Sequence, residues 1–78
     1  MIVVNTTDLG RPYSVISLVD GIGHAPSAEK AKDTAIAVMI QKAMAIGADA
    51  VVNVRISYTA DSMLANNFIA YGTAVKFV

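Results

Sequence analysis

One junction constrains the fold of this 78-residue chain most: an apolar helical pattern ends at Gly47, and a strand pattern begins within three residues. From Ala28 to Ile46 the residues are good helix formers or apolar, and Gly47 suits the left-handed C′ position that ends many helices. From Ala50 to Thr59 the side chains alternate with the period of two expected of a strand. The junction therefore predicts a helix followed directly by a long strand.

The predicted helix begins after Pro26, with Ser27 as its N-cap and Glu29 in the first turn, where a negative charge favours the helix dipole. Its apolar sector is wider than the stripe of about 100° typical of a surface helix. We therefore expect it to cover a sheet and also to contact a second subunit. One line of this helix carries Ala28, Ala31, Ala35, Met39 and Ile46.

Three further strands are predicted. Met1 to Val4 forms a short strand, suited to the edge of a neighbouring subunit, and Tyr13 to Asp20 forms a second strand. The turn-forming run from Asp20 to Gly23 is expected to end that second strand. Phe68 to Val78 is apolar on both faces, which places it in the middle of the sheet. Its small face, expected to lie under the alanines of the helix, carries Ala70, Gly72 and Ala74.

The expected order is a short β-strand, then β-α-β-β, within a single domain spanning residues 1–78. This is an α+β fold of two layers, with one helix packed on a small antiparallel sheet. The strand–helix–strand unit is expected to cross over with the right hand, and the last two strands to form a hairpin. The return connection runs from Ala60 to Asn67, with Met63 and Leu64 as an apolar plug. Along the strand after the helix, one predicted face carries Val52, Val54, Ile56 and Tyr58.

Composition indicates self-association. The chain has no cysteine and one histidine, so neither disulfides nor a standard structural zinc site can stabilise it. It is 55% apolar and 15% charged, against about 45–50% and 25% for a typical soluble domain. Because a domain of this size has a marginal core, we expect the excess apolar surface to be buried in a homo-oligomer.

Charge and hydropathy exclude other classes of partner. Six basic residues balance six acidic ones, whereas nucleic-acid binding normally requires a basic surface. The longest apolar run, Ala43 to Val54, is short of the ~20 residues that span a bilayer. No signal-peptide pattern opens the chain. The sequence predicts a soluble, cytoplasmic protein that binds neither nucleic acid nor membrane.

Two clusters before the helix are candidate binding sites. His24 could bind a divalent transition metal ion, with Asp20 or with its own copies around a ring; the alternative is an exposed loop histidine. Gly21 and Gly23, between a strand and a helix N-terminus, could cradle an anion together with Lys30. The alternative there is a tight turn beside solvated lysines.

Arg55 has two interpretations. It could line a ligand pocket or central channel, or it could pair with Asp49 or Asp61 across a subunit boundary. The acidic residues lack the spacing of an acid–base pair, and Ser27 has no histidine–acid partners. No catalytic constellation is present, so an enzyme is not predicted.

The run from Ala45 to Tyr58, AIGADAVVNVRISY, resembles the pattern A-x-G-A-(N/D)-A-V-V-(G/N)-V-R-F-x-Y of the YbjQ-like proteins, also described as a heavy-metal-binding domain family. The run from Gly72 to Val75 and the opening MIVVNTT, with Gly10 and Tyr13, extend the resemblance over nearly the whole chain. The chain departs from the family between Asp20 and Ala28, where the connection before the helix is shorter.

The resemblance implies a dodecin-like subunit fold assembled as a ring of five subunits, with heavy-metal binding suggested by the family's name. It implies no ligand set that transfers to particular residues here. The resulting hypothesis is a non-enzymatic, ring-forming homo-oligomer that binds a metal ion. The alternative is a module that binds a small ligand or anion, using the Gly21–Lys32 region or a pocket between subunits.

Overall fold

The structure is a computed structural model that describes residues 1–60 and 66–78, in which one helix packs on a four-stranded sheet. In chain order the elements are β1 (Ile2–Val3), β2 (Tyr13–Ala25), α1 (Ala28–Ala45), β3 (Ala50–Ala60) and β4 (Asn66–Phe77). Across the sheet the order is β1-β3-β4-β2. The α+β class and the central position of the last strand are confirmed. Met63 and Leu64 lie outside the described residues.

The sheet is mixed, so the prediction of an antiparallel sheet is wrong at β1. Ile2 is level with Ala50 and Val3 with Val51, in a parallel pairing within the same chain. A parallel arrangement is possible because nine residues separate β1 from β2 and the whole of β2 and α1 separates β1 from β3. β4 runs antiparallel to both β2 and β3. Consequently β2 and β3 are parallel to each other; the right-handed crossover between them stays a prediction.

The two ends of α1 are formed by the residues that the sequence indicates. The Ser27 hydroxyl accepts a hydrogen bond from the Lys30 backbone N–H at 3.4 Å. Gly47 has a positive φ of 78°, and its N–H donates to the Met44 carbonyl at 3.0 Å, as in a Schellman ending. No helix in residues 1–60 or 66–78 combines the length and the apolar content that a membrane span requires.

The core between α1 and the sheet is built from small side chains. Alanines of α1 meet alanines of β4, as predicted, around the fully buried Met39. Ala28 and Ile46, predicted on the same line of the helix, are exposed because they lie at its two ends. The buried members of this cluster are Val19, Ala35, Met39, Ala43, Val51, Ala70 and Ala74.

The prediction that β2 ends at the glycines is wrong, because β2 continues through both of them to Ala25. They permit close packing of the helix rather than a turn. A Cβ added at Gly21 would lie 2.2 Å from the Ala35 carbonyl oxygen, and one at Gly23 would lie 2.0 Å from that of Ala31. Glycine is therefore required where α1 lies directly on the backbone of β2.

The predicted alternation along β3 is interrupted by a bulge. Val52 is level with Thr73 and Arg55 with Tyr71, so β3 has one residue more than β4 in this interval. Asn53 adopts a positive φ of 54° in the bulge. Val54 therefore packs against the helix-side core, whereas Val52 belongs to a cluster on the opposite face of the sheet. The prediction that these two valines share a face is wrong, since the extra residue reverses the alternation.

Residues before β2 cover one end of the sheet face that points away from α1. Val4 and Leu9 pack there against Val52 and Val75. The Tyr13 hydroxyl donates to a backbone carbonyl of this segment at 2.7 Å. The opening segment therefore forms a partial third layer over that end of the sheet.

Candidate functional site

The sheet face that points away from α1, which we call the open face, carries most of the candidate residues. Beyond the part covered by the opening segment, large apolar side chains remain in solvent: Leu18 is 81% exposed, Ile22 55%, Tyr71 46% and Ile69 41%. They lie on the adjacent strands β2 and β4, and Ile22 is directly level with Ile69. The open face therefore presents one continuous apolar patch.

A groove of about 460 Å³ crosses the open face between β2 and β3. Its lining combines an apolar wall, a guanidinium and hydroxyl groups. The side chains that form it include Leu18, Asp20, Asn53, Arg55, Tyr71 and Thr73. This combination suits a small molecule with an apolar body and an anionic group.

Arg55 is held beside this groove by backbone carbonyls. Its Nη1 donates to the Asn5 oxygen at 2.8 Å and to the Val54 oxygen at 3.0 Å. Within the described residues, no carboxylate forms an ion pair with this guanidinium. Its full charge is consequently available at the groove.

Within one chain Asp49 does not pair with Arg55, and the predicted pairing across a subunit boundary stays a prediction. Asp49 accepts the backbone N–H of Phe77 at 2.8 Å, and its carboxylate lies 3.8 Å from the Lys76 ammonium. The bulge accounts for the separation, because it directs Arg55 toward the opening segment instead. The other predicted partner, Asp61, lies outside the described residues.

His24 lies in β2 on the open face, not in a loop, because β2 extends to Ala25. Its Nδ1 is hydrogen-bonded to the side-chain Oδ1 of Asn67, which is level with it in β4. A carbonyl oxygen accepts, so Nδ1 is the donor in this pairing, and in the neutral imidazole of this tautomer the lone pair is on Nε2. An imidazole oriented in this way is suited to bind a metal ion through Nε2. Sequence analysis missed Asn67 because only strand pairing brings it close.

Asp20 does not join His24 in a common site within one chain. Four residues of extended strand separate the two by about 13 Å. The Asp20 carboxylate instead pairs with the Lys42 ammonium at 3.0 Å. In residues 1–60 and 66–78, no three histidine, cysteine, aspartate or glutamate side chains are grouped so that they could hold a metal ion. Among the described residues of one chain, His24 is therefore not joined by further ligands of these types.

The predicted anion cradle requires a loop that the structure does not contain. Gly21 and Gly23 are in the ladder with β4 and lie under α1. Only Pro26 and Ser27 separate β2 from α1. Lys30 is exposed in the first turn, and its backbone N–H is already donated to Ser27. Anion binding by Gly21, Gly23 and Lys30 stays a prediction.

Comparison with known proteins identifies the family. Residues 15–78 match the YbjQ family, described as "Putative heavy-metal-binding". The chain belongs to this family. The match covers most of the chain, and it confirms the resemblance seen at the junction of helix and strand.

Two proteins with similar sequences are UPF0145 proteins. That of Thermosipho africanus (strain TCF52B) is 53% identical over 47 residues, which are 60% of this chain and 44% of that protein. That of Psychrobacter arcticus (strain DSM 17307 / VKM B-2377 / 273-4) is 48% identical over 50 residues, 64% of this chain and 32% of that protein. This chain thus matches less than half the length of either relative.

The fold also occurs in a solved structure. A protein of unknown function from Pediococcus pentosaceus ATCC 25745, assigned to the DUF74 family, superposes with a TM-score of 0.91. The superposition covers 100% of this chain and 98% of that one, at 12% sequence identity. At this low identity the likeness establishes the fold alone.

Proposed function

We propose that this protein is a non-enzymatic homo-oligomer, built as a ring of five subunits, in which the apolar patch of the open face is buried by self-association. The main support for this proposal is an observation of four exposed apolar side chains close together on that face, those of Leu18, Ile22, Ile69 and Tyr71. A soluble monomer rarely leaves so continuous an apolar surface in water. Burying it contributes about 25 cal/mol for each Å² of apolar surface removed from water.

The shape of the chain supports the same proposal. Its radius of gyration is 13.2 Å, whereas a compact domain of this length is expected near 11.5 Å. An elongated subunit buries less of its own surface than a compact one. Association with further copies buries part of the surface that an elongated subunit leaves exposed.

In this proposal a divalent transition metal ion is bound between subunits. Each chain offers one oriented imidazole, that of His24, and rotational symmetry repeats it around the ring. Imidazole nitrogen suits zinc, copper and nickel. A metal centre of this kind requires the assembly, and the absence of a three-ligand group from residues 1–60 and 66–78 supports it.

The proposal also assigns the protein to the cytoplasm, with copies of itself as its partner and without a nucleic acid or a membrane. The balanced charge of six basic and six acidic residues supports this assignment. The proposed role is binding rather than catalysis, because Asp8, Asp20 and Asp49 engage lysines and backbone groups instead of forming an acid–base pair.

Native mass spectrometry at micromolar concentration, repeated during titration with zinc, copper and nickel, tests both parts. We expect a five-subunit mass that gains metal in integer steps, with uptake lost in His24→Ala. Asp20→Asn is the matched control and should retain uptake, since Asp20 pairs with Lys42. A monomeric mass would overturn the oligomer. Uptake that persists in His24→Ala would overturn the metal site.

A second candidate function, binding of a small organic anion, is favoured by the guanidinium of Arg55 beside the groove, which forms no ion pair with a carboxylate of residues 1–60 or 66–78. Benzoate is a suitable probe because it combines a carboxylate with an apolar ring. Preferential binding to the native state should raise the melting temperature. The shift should disappear in Arg55→Gln if the groove is the site, and in Lys30→Gln/Lys32→Gln if the Gly21–Lys32 region is the site. No shift at millimolar benzoate would contradict this alternative.

A further inference from the structure

The outer edge of β2 is a long strand edge without a partner in the described chain. β2 spans 13 residues, Tyr13–Ala25, and within residues 1–60 and 66–78 it pairs with β4 alone. Protein edges are normally protected by lysine, proline, bulges or short length. β2 contains neither lysine nor proline, and its bulge lies between Val15 and Ser17, near its beginning. The remainder of the edge is regular and open to pairing.

The opposite side of the sheet carries a second free edge. β1 and the residues after it cover the outer side of β3 only as far as Val54, whose N–H donates to the Val4 carbonyl at 3.0 Å. From Ile56 to Ala60 the outer side of β3 has no described partner, and this segment contains no charged residue. Among residues 1–60 and 66–78, the sheet therefore has an unpaired edge segment on each side.

Ladder geometry indicates which backbone groups face outward. The backbone N–H of Val54 points outward. Because the backbone groups of successive residues in a strand alternate in direction, those of Ile56 and Tyr58 also point outward, and those of Arg55 point toward β4. In a hydrogen-bonded pair of an antiparallel ladder, the backbone groups of the two level residues point at each other. Arg55 is level with Tyr71, so the backbone groups of Tyr71 point toward β3. Those of the next residue, Ala70, therefore point toward β2. The residues of β2 whose backbone groups point outward are consequently Asp20, Ile22 and His24.

We propose that the free edge of β2 in one copy pairs with the Ile56–Ala60 edge of β3 in the next copy, so that neighbouring sheets join edge to edge. This inference rests on the proposed self-association and adds to it a contact between sheet edges, which is separate from the burial of the apolar patch. Each copy carries one edge of each kind on opposite sides, which gives a head-to-tail contact. Repeated by rotation, such a contact closes into a ring in which both of these edge segments are paired.

The charge at the β2 edge is compatible with this contact. Asp20 is the one acidic residue of β2, and its carboxylate is paired with Lys42 of α1 at 3.0 Å. The facing segment of β3 is uncharged. No like charges therefore oppose each other across the joint, which would otherwise destabilise the pairing.

The relative direction of the paired strands follows from symmetry. Two strands pair only when they are nearly aligned, so the rotation axis must lie close to the strand direction. A rotation about such an axis preserves the direction of every strand. Because β2 and β3 are parallel within one chain, we infer that they also pair in parallel between copies.

Amide hydrogen exchange measured by NMR on the native assembly tests this contact without altering the chain. We expect the outward amides of Ile22, His24, Ile56 and Tyr58 to be protected at least 100-fold relative to the unfolded chain. The amide of Lys32, on the exposed surface of α1 but within its ladder, serves as a positive reference. Rapid exchange at the four edge amides in an intact oligomer would overturn the edge contact while leaving the oligomer itself established.

Proline at an outward position provides the second measurement. Ile22→Pro and Ile56→Pro each remove an N–H that does not face β4, so the subunit ladder is preserved. We expect both variants to lose the assembled mass while retaining native circular dichroism. Ile22→Val and Ile56→Val keep the N–H and should assemble. Assembly of both proline variants would overturn the inference; a monomeric parent protein would instead overturn the proposed function. Should a proline variant unfold, amide exchange in the parent decides.

Discussion

The backbone of Gly23 lies so close to α1 that a Cβ on it would stand 2.0 Å from the carbonyl oxygen of Ala31. Real Cβ atoms do not approach other atoms this closely, and the obstructing atom belongs to a helix backbone. Neither element can yield without moving the other. Contact between α1 and β2 therefore depends on the absence of a side chain at this position.

Replacement of this glycine should be severely destabilising. We expect Gly23→Ala to lower the free energy of unfolding by about 3 kcal/mol or more, at the upper end of overpacking effects. Urea denaturation at a fixed protein concentration measures the change. Ser14→Ala, exposed on the same strand, is the control and should stay within about 0.5 kcal/mol. Equal effects of the two substitutions would contradict the close approach.

The bulge in β3 should be sensitive to the backbone preference of residue 53. Asn53 has a φ of 54°, a conformation that asparagine and glycine tolerate and β-branched residues resist. We expect Asn53→Val to cost about 1–2 kcal/mol, and Asn53→Gly to be nearly neutral. Thermal unfolding of both variants provides the measurement. A valine variant as stable as the glycine variant would show that the bulge does not need the left-handed conformation.

Substitution by alanine should have very different effects on the free energy of unfolding at the two methionines of α1. Met39 is fully buried, whereas Met44 is 62% exposed. We expect Met39→Ala to cost about 2–5 kcal/mol, because the transfer free energy is lost and a cavity remains. Met44→Ala should cost less than about 0.5 kcal/mol. Urea denaturation of the pair tests the burial directly, and similar losses in both would contradict it.

Arg55 should hold the opening segment on the sheet. Its guanidinium donates to the Asn5 carbonyl, so Arg55→Met should release this segment and cost about 1 kcal/mol. We expect faster hydrogen exchange at the Val4 and Val54 amides, which bond between the segment and β3. Lys76→Met removes an exposed cation elsewhere and controls for charge. Unchanged exchange in Arg55→Met would mean that the backbone bonds suffice.

Local signals predicted the boundaries of the helix and the composition of its core. Ser27 and Gly47 act through hydrogen bonds with residues two or three positions away, so their roles are visible in a short window of sequence. The match between small residues of β4 and alanines of α1 follows from the alternation of faces along a strand. Each of these inferences required one periodicity and no knowledge of distant residues.

Features that depend on tertiary packing were not predictable in this way. Glycine serves both turns and close approach, and the choice at Gly21 and Gly23 depends on where α1 lies. The bulge at Asn53 depends on the register with β4, and the neighbour of His24 depends on the same register. The sequence therefore predicted a turn at Gly21 and Gly23 before the helix, whereas both glycines and His24 lie in β2.

The strand order β1-β3-β4-β2 has a consequence for synthesis on the ribosome. The central strand, β4, follows both of its neighbours in the chain, so β2 and β3 emerge from the exit tunnel without the partner that joins them. Until residues 66–77 have been translated, the nascent chain holds an amphipathic helix and two strands that cannot be assembled into the sheet. The sheet can therefore form only after β4 has left the tunnel, and a polypeptide truncated before residue 66 should not form it.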